Sequence, residues 1–293
     1  MRERALGSLF VVAVGIVPTL IGGPVFAGVL IILGMVGFLE YLALVSRVSA
    51  AHSGDSSGSV VGFGVILGFG IAALFGADAT ALFVVCATAV VAPLIAFMRY
   101  STTAGYFQRW SLVSVGSLYL GLPVFAAVTL RSLPHESARI WLLELPVQLG
   151  GGWRTGTWGL AWVLTVILSI WVGDSSAFLI GRFIGSHKLA PDLSPNKTVE
   201  GAVGGLGGAV IVGALSFPIF GLGDWWFGAV TGAVIGAAGQ LGDLGESFLK
   251  RQAGVKESGS IIPGHGGILD RLDALLFAFP VGLVLAASYD RFS

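Results

Sequence analysis

The sequence predicts an all-α, polytopic integral membrane protein, a helical bundle with about nine transmembrane helices. Three observations support this fold class. Of the 293 residues, 55% are hydrophobic and only 11% are charged, whereas soluble domains carry about 25% charged residues. The mean hydropathy is +0.89. Apolar runs that could cross the hydrocarbon core, which takes roughly 20 helical residues, recur along the whole chain.

Nine apolar runs qualify as predicted spans. They cover residues 5–22, 24–45, 59–77, 79–98, 110–130, 157–181, 202–222, 225–246 and 272–289. Helices are expected because backbone groups in lipid must be satisfied within the segment, and the runs are far too long for barrel strands. The longest connection, residues 131–156, is expected to be an amphipathic surface segment. Polarity divides one integrated membrane domain into residues 1–156, a scaffold of about five helices, and residues 157–293, about four helices with nearly every polar cluster.

The distribution of Lys and Arg between the two sides predicts the orientation in the membrane. Twelve of the 16 cationic residues fall on one face, which should be cytoplasmic, with the amino terminus inside and the carboxyl terminus outside. The twelve are Arg2, Arg4, Arg47, Arg99, Arg109, Arg182, Lys188, Lys197, Lys250, Arg251, Lys256 and Arg271. The other face holds Arg131, Arg139, Arg154 and Arg291. The net charge is zero, so no global basic field indicates a nucleic-acid partner.

Three polar clusters lie on the predicted cytoplasmic side. The first is "GDSSAFLIGRFIG", with Asp174 and Arg182, and the second is "SPNKTVEG", residues 194–201, expected as a loop before span seven. The third is "GQLGDLGESFLKRQAGVKESGSIIPGHGGILDRLD", residues 239–273. Ionisable groups inside spans are expensive and are usually functional or paired, so these clusters are the candidate sites.

The third cluster brings carboxylates and cations together. Four polar residues at the end of span eight have the spacing i, i+4, i+7 and i+8: Asp243, Ser247, Lys250 and Arg251. If span eight continues as a helix through them, this spacing places them in one polar stripe. Asp270 and Asp273 share a helix face by their i, i+3 spacing. A glycine-rich loop with Lys256 and His265 connects the two helices.

This combination predicts a metal–phosphate site. Asp243, Asp270 and Asp273 supply oxygen ligands for a hard cation such as magnesium, and neighbouring Lys and Arg can hold phosphate oxygens. In the alternative interpretation, Asp270 and Arg271 only mark a membrane boundary and Asp243 pairs with Lys250. His265 would then be an ordinary hydrogen-bonding loop residue.

The stretch "SFLKRQAGVKESGSIIPGHGGILDRLD", Ser247 to Asp273, resembles the signature of phosphatidate cytidylyltransferases (CDP-diacylglycerol synthases). Glu257 stands where the family pattern has Asp, which retains a carboxylate one methylene further out. The upstream stretches "GDSSAFLIGRFIGSHKLAP" and "LSPNKTVEG" are similar to a second region of the family. The resemblance covers the chain from about residue 170 to its end.

The resemblance implies an enzyme of phospholipid biosynthesis that transfers a cytidylyl group from CTP to phosphatidate, giving CDP-diacylglycerol and pyrophosphate. It also implies Mg²⁺, K⁺ as a second cation, a homodimer among membrane lipids, and an active site on the cytoplasmic side of the cell (inner) membrane. Residues 157–293 would be the catalytic region. The implied catalytic residues are the metal ligands Asp243, Asp270 and Asp273, with Lys250 and Arg251. The implied substrate-binding residues are Ser194, Lys197 and Ser247, and the polar clusters add Asp174, Lys256, His265 and Arg271 as substrate-binding candidates.

Three other functions remain open. A kinase or cytidylyltransferase acting on a polyprenol or another lipid phosphate would share the metal site and differ in its lipid pocket. A cation or lipid transporter also places acids on broken helices, although the acids here cluster near one face and the two halves carry no matched pair of interrupted segments. A purely structural membrane subunit would not need the polar clusters. The Asp-Gly-x-x-Ala-Arg signature of CDP-alcohol phosphotransferases is not in the sequence.

Overall fold

The computed structural model describes residues 13–48, 56–76, 78–100, 106–133, 156–262 and 266–289. Residues 13–21 are helical. The elements that follow are α1 (Gly23–Val48), α2 (Ser56–Leu74), α3 (Ala79–Tyr100), α4 (Tyr106–Arg131), α5 (Thr157–Ile184), β1 (Lys188–Ala190), β2 (Ser194–Thr198), α6 (Val199–Phe220), α7 (Trp225–Gln252) and α8 (Leu269–Tyr289). Residues 134–155 of the predicted amphipathic segment lie outside the described residues.

The prediction of a helical polytopic membrane protein is confirmed, because every predicted span overlaps a helix. Among the described residues, six helices are long and apolar enough to cross a membrane: α1, α3, α4, α5, α6 and α8. The apolar part of α2, Gly58–Leu74, is shorter. Helix α7 has 28 residues, but its many glycines and its polar carboxyl-terminal turns lower its hydropathy.

Residues 194–201 differ from their predicted loop conformation. Ser194–Thr198 form β2, which pairs antiparallel with β1 in the register Lys188↔Thr198 and Ala190↔Ser194. The hairpin was not predicted because its strands have only three and five residues and no alternation of polar and apolar residues. Val199 then begins α6, three residues before the predicted span.

The two helices at the signature extend beyond their predicted spans. Helix α7 continues to Gln252, so the condition for one polar stripe, from Asp243 to Arg251, is met. Helix α8 begins at Leu269, with Asp270 in its first turn. A carboxylate there complements the partial positive charge of a helix amino terminus.

By their internal packing, the residues group into two compact units. Unit 1 comprises Met1–Pro18, Pro24–Thr129 and Leu249–Leu272. Its buried side chains include Phe38, Ile66, Phe69 and Leu120. Aromatic rings at such positions pack in tilted and edge-to-face pairs, and Phe69 and Phe125 are T-shaped with centroids 6.4 Å apart.

Unit 2 comprises Thr19–Gly23, Leu130–Phe248 and Asp273–Ser293. Glycines let α5 and α6 approach closely: a Cβ on Gly201 would lie 2.8 Å from the Ala177 carbonyl oxygen, and one on Gly205 would lie 2.9 Å from the Gly173 carbonyl oxygen. Small residues at helix interfaces are typical of membrane proteins, where van der Waals packing replaces the hydrophobic effect. The close approach makes this part of unit 2 intolerant of larger side chains.

Arg131, counted above among the charges of the outer face, is buried in unit 2 with 1% of its surface exposed. Its Nε donates to the Thr19 carbonyl oxygen at 2.8 Å and its Nη2 to that of Leu20 at 3.3 Å. Its Nη1 donates to the Gly156 carbonyl oxygen at 3.2 Å. The guanidinium therefore caps the end of the helix at residues 13–21, where backbone carbonyls lack helical partners.

Candidate active site

A cavity of about 440 Å³ lies in unit 2, between the carboxyl-terminal half of α5, strand β2, the start of α6 and the middle of α7. Its lining combines titratable, amide and apolar side chains with two glycines. The lining residues are Asp174, Ala177, Phe178, Gly181, Arg182, Leu189, Asn196, Lys197, Thr198, Gly201, Ala202, Gln240, Asp243 and Leu244. We call it the unit 2 cavity. It brings together parts of all three polar clusters found in the sequence.

Two acids and a lysine face each other across the unit 2 cavity. Lys197 Nζ on β2 lies 2.6 Å from Asp243 Oδ2 on α7, and their side chains are 27% and 34% exposed. Asp174 on α5 lines the same cavity. A pair this accessible can exchange its partner for a ligand, because solvent-exposed ion pairs hold together weakly.

Thr198 sets the position of Lys197. It is the N-cap of α6, and its Oγ1 accepts a hydrogen bond from the Gly201 N–H at 3.1 Å. The same oxygen packs against α5, since a Cβ on Gly181 would lie 2.9 Å from it. Thr and Ser are preferred caps because the hydroxyl satisfies an otherwise unpaired N–H. Lys197 is thereby held next to the N-cap, two residues before the first residue of α6, at the cavity wall.

Glu200 in the first turn of α6 ties down the residues that lead into the hairpin. Its Oε1 accepts from Ser186 Oγ at 2.8 Å and lies 2.6 Å from His187 Nδ1. The backbone N–H groups of Ser186 and His187 donate to the same carboxylate at 3.1–3.2 Å. The carboxylate thus fixes the entry to β1 relative to α6.

A second polar cluster lies in unit 1 and is formed by Lys250, Ser258, Gly267 and Asp270; we call it the Asp270 network. Lys250 Nζ lies 2.6 Å from Asp270 Oδ1, with 12% and 6% of the two side chains exposed. Asp270 Oδ2 accepts from the N–H groups of Ser258 and Gly267 at 2.8 and 2.9 Å. Ser258 Oγ lies 2.9 Å from the same oxygen. Asp270 is therefore buried with both oxygens engaged.

Glycines give the signature loop its shape. Gly254 has φ +69° and ends α7, where the Val255 N–H donates to the Lys250 carbonyl oxygen at 3.0 Å. Gly266 has φ +79°, and its carbonyl oxygen accepts from the Ile262 N–H at 3.0 Å. Residues with a side chain rarely adopt such φ values. The turn at Gly266 thus lies just before the start of α8 at Leu269.

The predicted site residues fall into three groups. Asp174, Lys197 and Asp243 meet at the unit 2 cavity, and Lys250 and Asp270 meet in the Asp270 network. The residues described outside these two clusters are Ser194, Ser247, Arg251, Lys256, Arg271 and Asp273. Arg251 donates from Nη1 to the Val255 carbonyl oxygen at 3.1 Å. His265 lies outside the described residues, and its binding role stays a prediction.

The predicted metal ligands are divided between the units, with Asp270 in unit 1 and Asp243 and Asp273 in unit 2. Within the ranges that the structure describes, no three Asp, Glu, His or Cys side chains form a metal-holding group. The metal site stays a prediction. The alternative pairing from the sequence named Lys250 for Asp243; the observed partners are Lys197 for Asp243 and Asp270 for Lys250.

Sequence reasoning missed four residues at these two clusters. Asn196 and Gln240 line the unit 2 cavity; both belong to polar clusters found in the sequence, but as uncharged amides they were not singled out there. Ser258 sits in the Asp270 network beside Glu40 of α1, whose carboxylate is 3.0 Å from Ser258 Oγ. A signal for Glu40 was present, because it is the one acid inside a predicted span of residues 1–156 and such acids are usually functional or paired.

The fold and the two clusters define a helical, polytopic membrane protein with buried and cavity-lining ion pairs at its carboxyl-terminal helices. A family profile described as "Cytidylyltransferase family" matches residues 2–289. The chain belongs to the cytidylyltransferase family.

Three curated relatives carry the name phosphatidate cytidylyltransferase. That of Staphylococcus aureus (strain COL) is 47% identical over 131 residues, which are 44% of this chain and 50% of the relative. That of Staphylococcus haemolyticus (strain JCSC1435) is 49% identical over 125 residues, 42% of this chain and 48% of the relative. That of Staphylococcus epidermidis (strain ATCC 35984) is 44% identical over 131 residues, with the same coverage as the first. The chain spans about half the length of the curated relatives it matches.

Proposed function

We propose that this protein transfers a cytidylyl group from CTP to phosphatidate and releases pyrophosphate. The observation that carries the proposal is the unit 2 cavity, where Asp174, Lys197 and Asp243 from three separate sequence clusters line about 440 Å³. Lysine and arginine side chains can bind phosphate oxygens, and the neighbouring carboxylates can bind the cation that accompanies the phosphate. The relatives' names and the signature from Ser247 to Asp273 support the choice of substrates.

The proposed reaction is an in-line displacement at phosphorus. An oxygen of the phosphatidate phosphate attacks the α-phosphorus of CTP, a new P–O bond forms, and the bond to the β-phosphate breaks with its electrons on pyrophosphate. A phosphate monoester has a second pKa of about 6, so the nucleophile is already mostly ionised near neutral pH. Transfers of this kind depend on positioning and charge neutralisation rather than on covalent help. A dedicated general base is therefore unnecessary.

The cationic side chains have the main role in this mechanism. Lys197 and Arg182 line the unit 2 cavity and would hold phosphate oxygens there as charge builds on the leaving group. The apolar part of the lining, Phe178, Leu189 and Leu244, leaves room for a lipid or a base beside the phosphates. Lys250 has a buried carboxylate partner, and its contribution to substrate binding requires that pair to open.

The donor atoms of the cavity fit the divalent cation that the resemblance implies. Asp174 and Asp243 present carboxylate oxygens to one cavity, and oxygen ligands from one or two carboxylates plus substrate phosphates are what Mg²⁺ prefers. Asp243 and Asp174 would hold it here. A bound Mg²⁺ neutralises charge on the phosphates. K⁺ as a second cation is proposed from the resemblance alone.

The membrane setting completes the proposal. Phosphatidate lies in lipid and CTP in water, so a site at the ends of apolar helices can receive both. We place the active site on the cytoplasmic side, with the amino terminus inside and the carboxyl terminus outside, on the bias of twelve cationic residues against four. The homodimer is proposed from the resemblance alone.

The test is pyrophosphate release by detergent-purified protein given CTP, phosphatidate and Mg²⁺. We expect release that requires both CTP and phosphatidate and that falls sharply when ATP replaces CTP. A polyprenyl phosphate in place of phosphatidate tests the rival lipid substrate. Release with the polyprenyl phosphate alone, or none with any lipid phosphate from folded protein, would contradict the proposal.

A further inference from the structure

Glu40 on α1 is the one acid inside a predicted span of the amino-terminal half. It lies inside an apolar helix of 26 residues and only 5% of its surface is exposed. Its Oε1 accepts from the Ile268 N–H at 3.0 Å and its Oε2 from the Leu269 N–H at 2.8 Å. Ser258 Oγ lies 3.0 Å from Oε2. All three partners belong to the signature loop or the start of α8, more than 200 residues away in sequence.

Two of these contacts cap a helix. Ile268 precedes the first residue of α8 and has no side-chain oxygen, so it cannot cap the helix in the usual way. The N–H groups of Ile268 and Leu269 would then remain unpaired in a buried setting, which is costly. Glu40 accepts both and adds a negative charge at the positive end of the helix. Its removal would leave the start of α8 without this cap.

The third contact connects Glu40 to Asp270. Ser258 Oγ lies 3.0 Å from Glu40 Oε2 and 2.9 Å from Asp270 Oδ2, and it accepts from the Asp270 N–H at 3.3 Å. One hydroxyl hydrogen therefore serves two carboxylates. The orientation of Asp270 depends on a serine whose other neighbour is Glu40.

The loop backbone is shaped around the Glu40 carboxylate. A Cβ on Gly259 would lie 2.5 Å from Glu40 Oε1, and a Cβ on Gly267 would lie 2.5 Å from Oε2. Real Cβ atoms do not approach oxygens this closely, so a side chain at either position would displace the Glu40 carboxylate from its partners. Gly267 also donates its N–H to Asp270. Two glycines of the signature, Gly259 and Gly267, thus lie against a residue outside the signature.

We propose that Glu40 is a positioning residue for the Asp270 network: it holds Ser258 and the start of α8 so that Asp270 keeps the orientation that the transfer requires. This inference rests on the proposed function. Glu40 touches no substrate in this role. Its effect on turnover passes through Asp270, and groups that orient functional side chains typically change activity about 10- to 100-fold when removed.

Hydrogen exchange and kinetics on Glu40→Gln in detergent test this inference, with Tyr41→Phe as the matched control. Tyr41 is the next residue of α1 and is equally buried at 5%, and its variant keeps the carboxylate. We expect faster amide exchange in residues 258–262 and 266–270 of Glu40→Gln, and no such change in Tyr41→Phe. We also expect kcat to fall about 10- to 100-fold with KM for CTP little changed, because the residue acts through orientation rather than binding. Glu40→Asp retains the charge and should recover part of kcat.

The double variant Glu40→Gln/Asp270→Asn separates positioning from a general effect on the fold. If Glu40 acts through Asp270, the double variant should be no slower than Asp270→Asn alone, since residues that act as a unit are not additive. The proposal is overturned if the loss of kcat in the double variant equals the product of the two single losses. It is also overturned if Glu40→Gln leaves amide exchange in the loop unchanged, or if exchange becomes faster while kcat stays unchanged. If Glu40→Gln does not fold, Ser258→Ala deletes the connection between Glu40 and Asp270 while leaving the two hydrogen bonds from the Ile268 and Leu269 N–H groups to Glu40, and the same outcomes apply to it.

The exchange measurement also keeps the two proposals apart. If the parent protein releases no pyrophosphate with any lipid phosphate, the proposed function fails. The exchange data still decide whether Glu40 holds the loop, and a loop unaffected by Glu40→Gln overturns the positioning role independently of activity.

Discussion

Asp243 and Asp270 differ in their surroundings, although each has a lysine nitrogen 2.6 Å away. The Asp243 side chain is 34% exposed at an open cavity and has one described ion-pair partner. The Asp270 side chain is 6% exposed and accepts from backbone and hydroxyl donors as well. Ion pairs accessible to solvent contribute about 0–1 kcal/mol, while removing one partner of a buried pair costs about 3–5 kcal/mol. The comparison separates a carboxylate that is available to a ligand from one that also holds the fold.

The largest effect is expected for Asp270→Asn. The substitution leaves the Lys250 ammonium buried without its counter-charge, so the melting temperature in detergent should fall by more than about 5 °C. Turnover should also fall about 10²–10³-fold, the usual cost of removing one electrostatic stabiliser. Differential scanning calorimetry and pyrophosphate release measure the two losses.

The double variant Asp270→Asn/Lys250→Met is the control for that interpretation. Removing both charges relieves the uncompensated ammonium, so most of the lost melting temperature should return while turnover stays low. A double variant as unstable as Asp270→Asn alone would show that the pair itself is not what stabilises the loop.

A smaller combined effect is expected for Asp243→Asn. The loss of turnover should again be about 10²–10³-fold, but the melting temperature should change by less than about 2 °C because the pair with Lys197 is exposed. The same calorimetry and release assay apply. A drop in melting temperature comparable to that of Asp270→Asn would remove the distinction between the two acids.

The smallest effect is expected for Lys197→Met, with Lys188→Met as its matched control on the other strand of the hairpin. A hydrogen bond to a charged group contributes about 1.5–3 kcal/mol, so KM for the phosphate substrates should rise about 10- to 100-fold with little change in melting temperature. Lys188 does not line the cavity, and its variant should bind and turn over substrates normally. Equal effects of the two variants would mean that only the overall charge of the hairpin matters.

The helices were predictable because a span of lipid demands a long apolar run, and this demand is visible in local composition. Their ends were less predictable. Helix α7 continues through Lys250 and Arg251 to the turn at Gly254, whereas hydropathy falls where the charges begin. Backbone hydrogen bonding, rather than contact with lipid, sets the end of that helix.

Most residues of the site could be predicted from the sequence, but the partner of each charged side chain could not. Asp174, Lys197 and Asp243 come from separate clusters, and only the packing of α5, β2 and α7 brings them to one cavity. Lys250 was expected at a phosphate and is found on Asp270, because either anion satisfies an ammonium. Glu40 was detectable as an acid inside a span, but its partners were not, because they lie 218–229 residues away and single-sequence patterns carry no information at that range.

Arg131 has a consequence for how the chain is made. Its guanidinium donates hydrogen bonds to the carbonyl oxygens of Thr19, Leu20 and Gly156. Gly156 is synthesised 25 residues after the arginine. Until then the buried Arg131 guanidinium lacks one of its three acceptors, and an incompletely paired charge is expensive in hydrocarbon. We expect the helix at residues 13–21 and α4 to stay beside the insertion machinery until α5 arrives, so that chains cut short between residues 131 and 156 are targets for quality-control proteolysis.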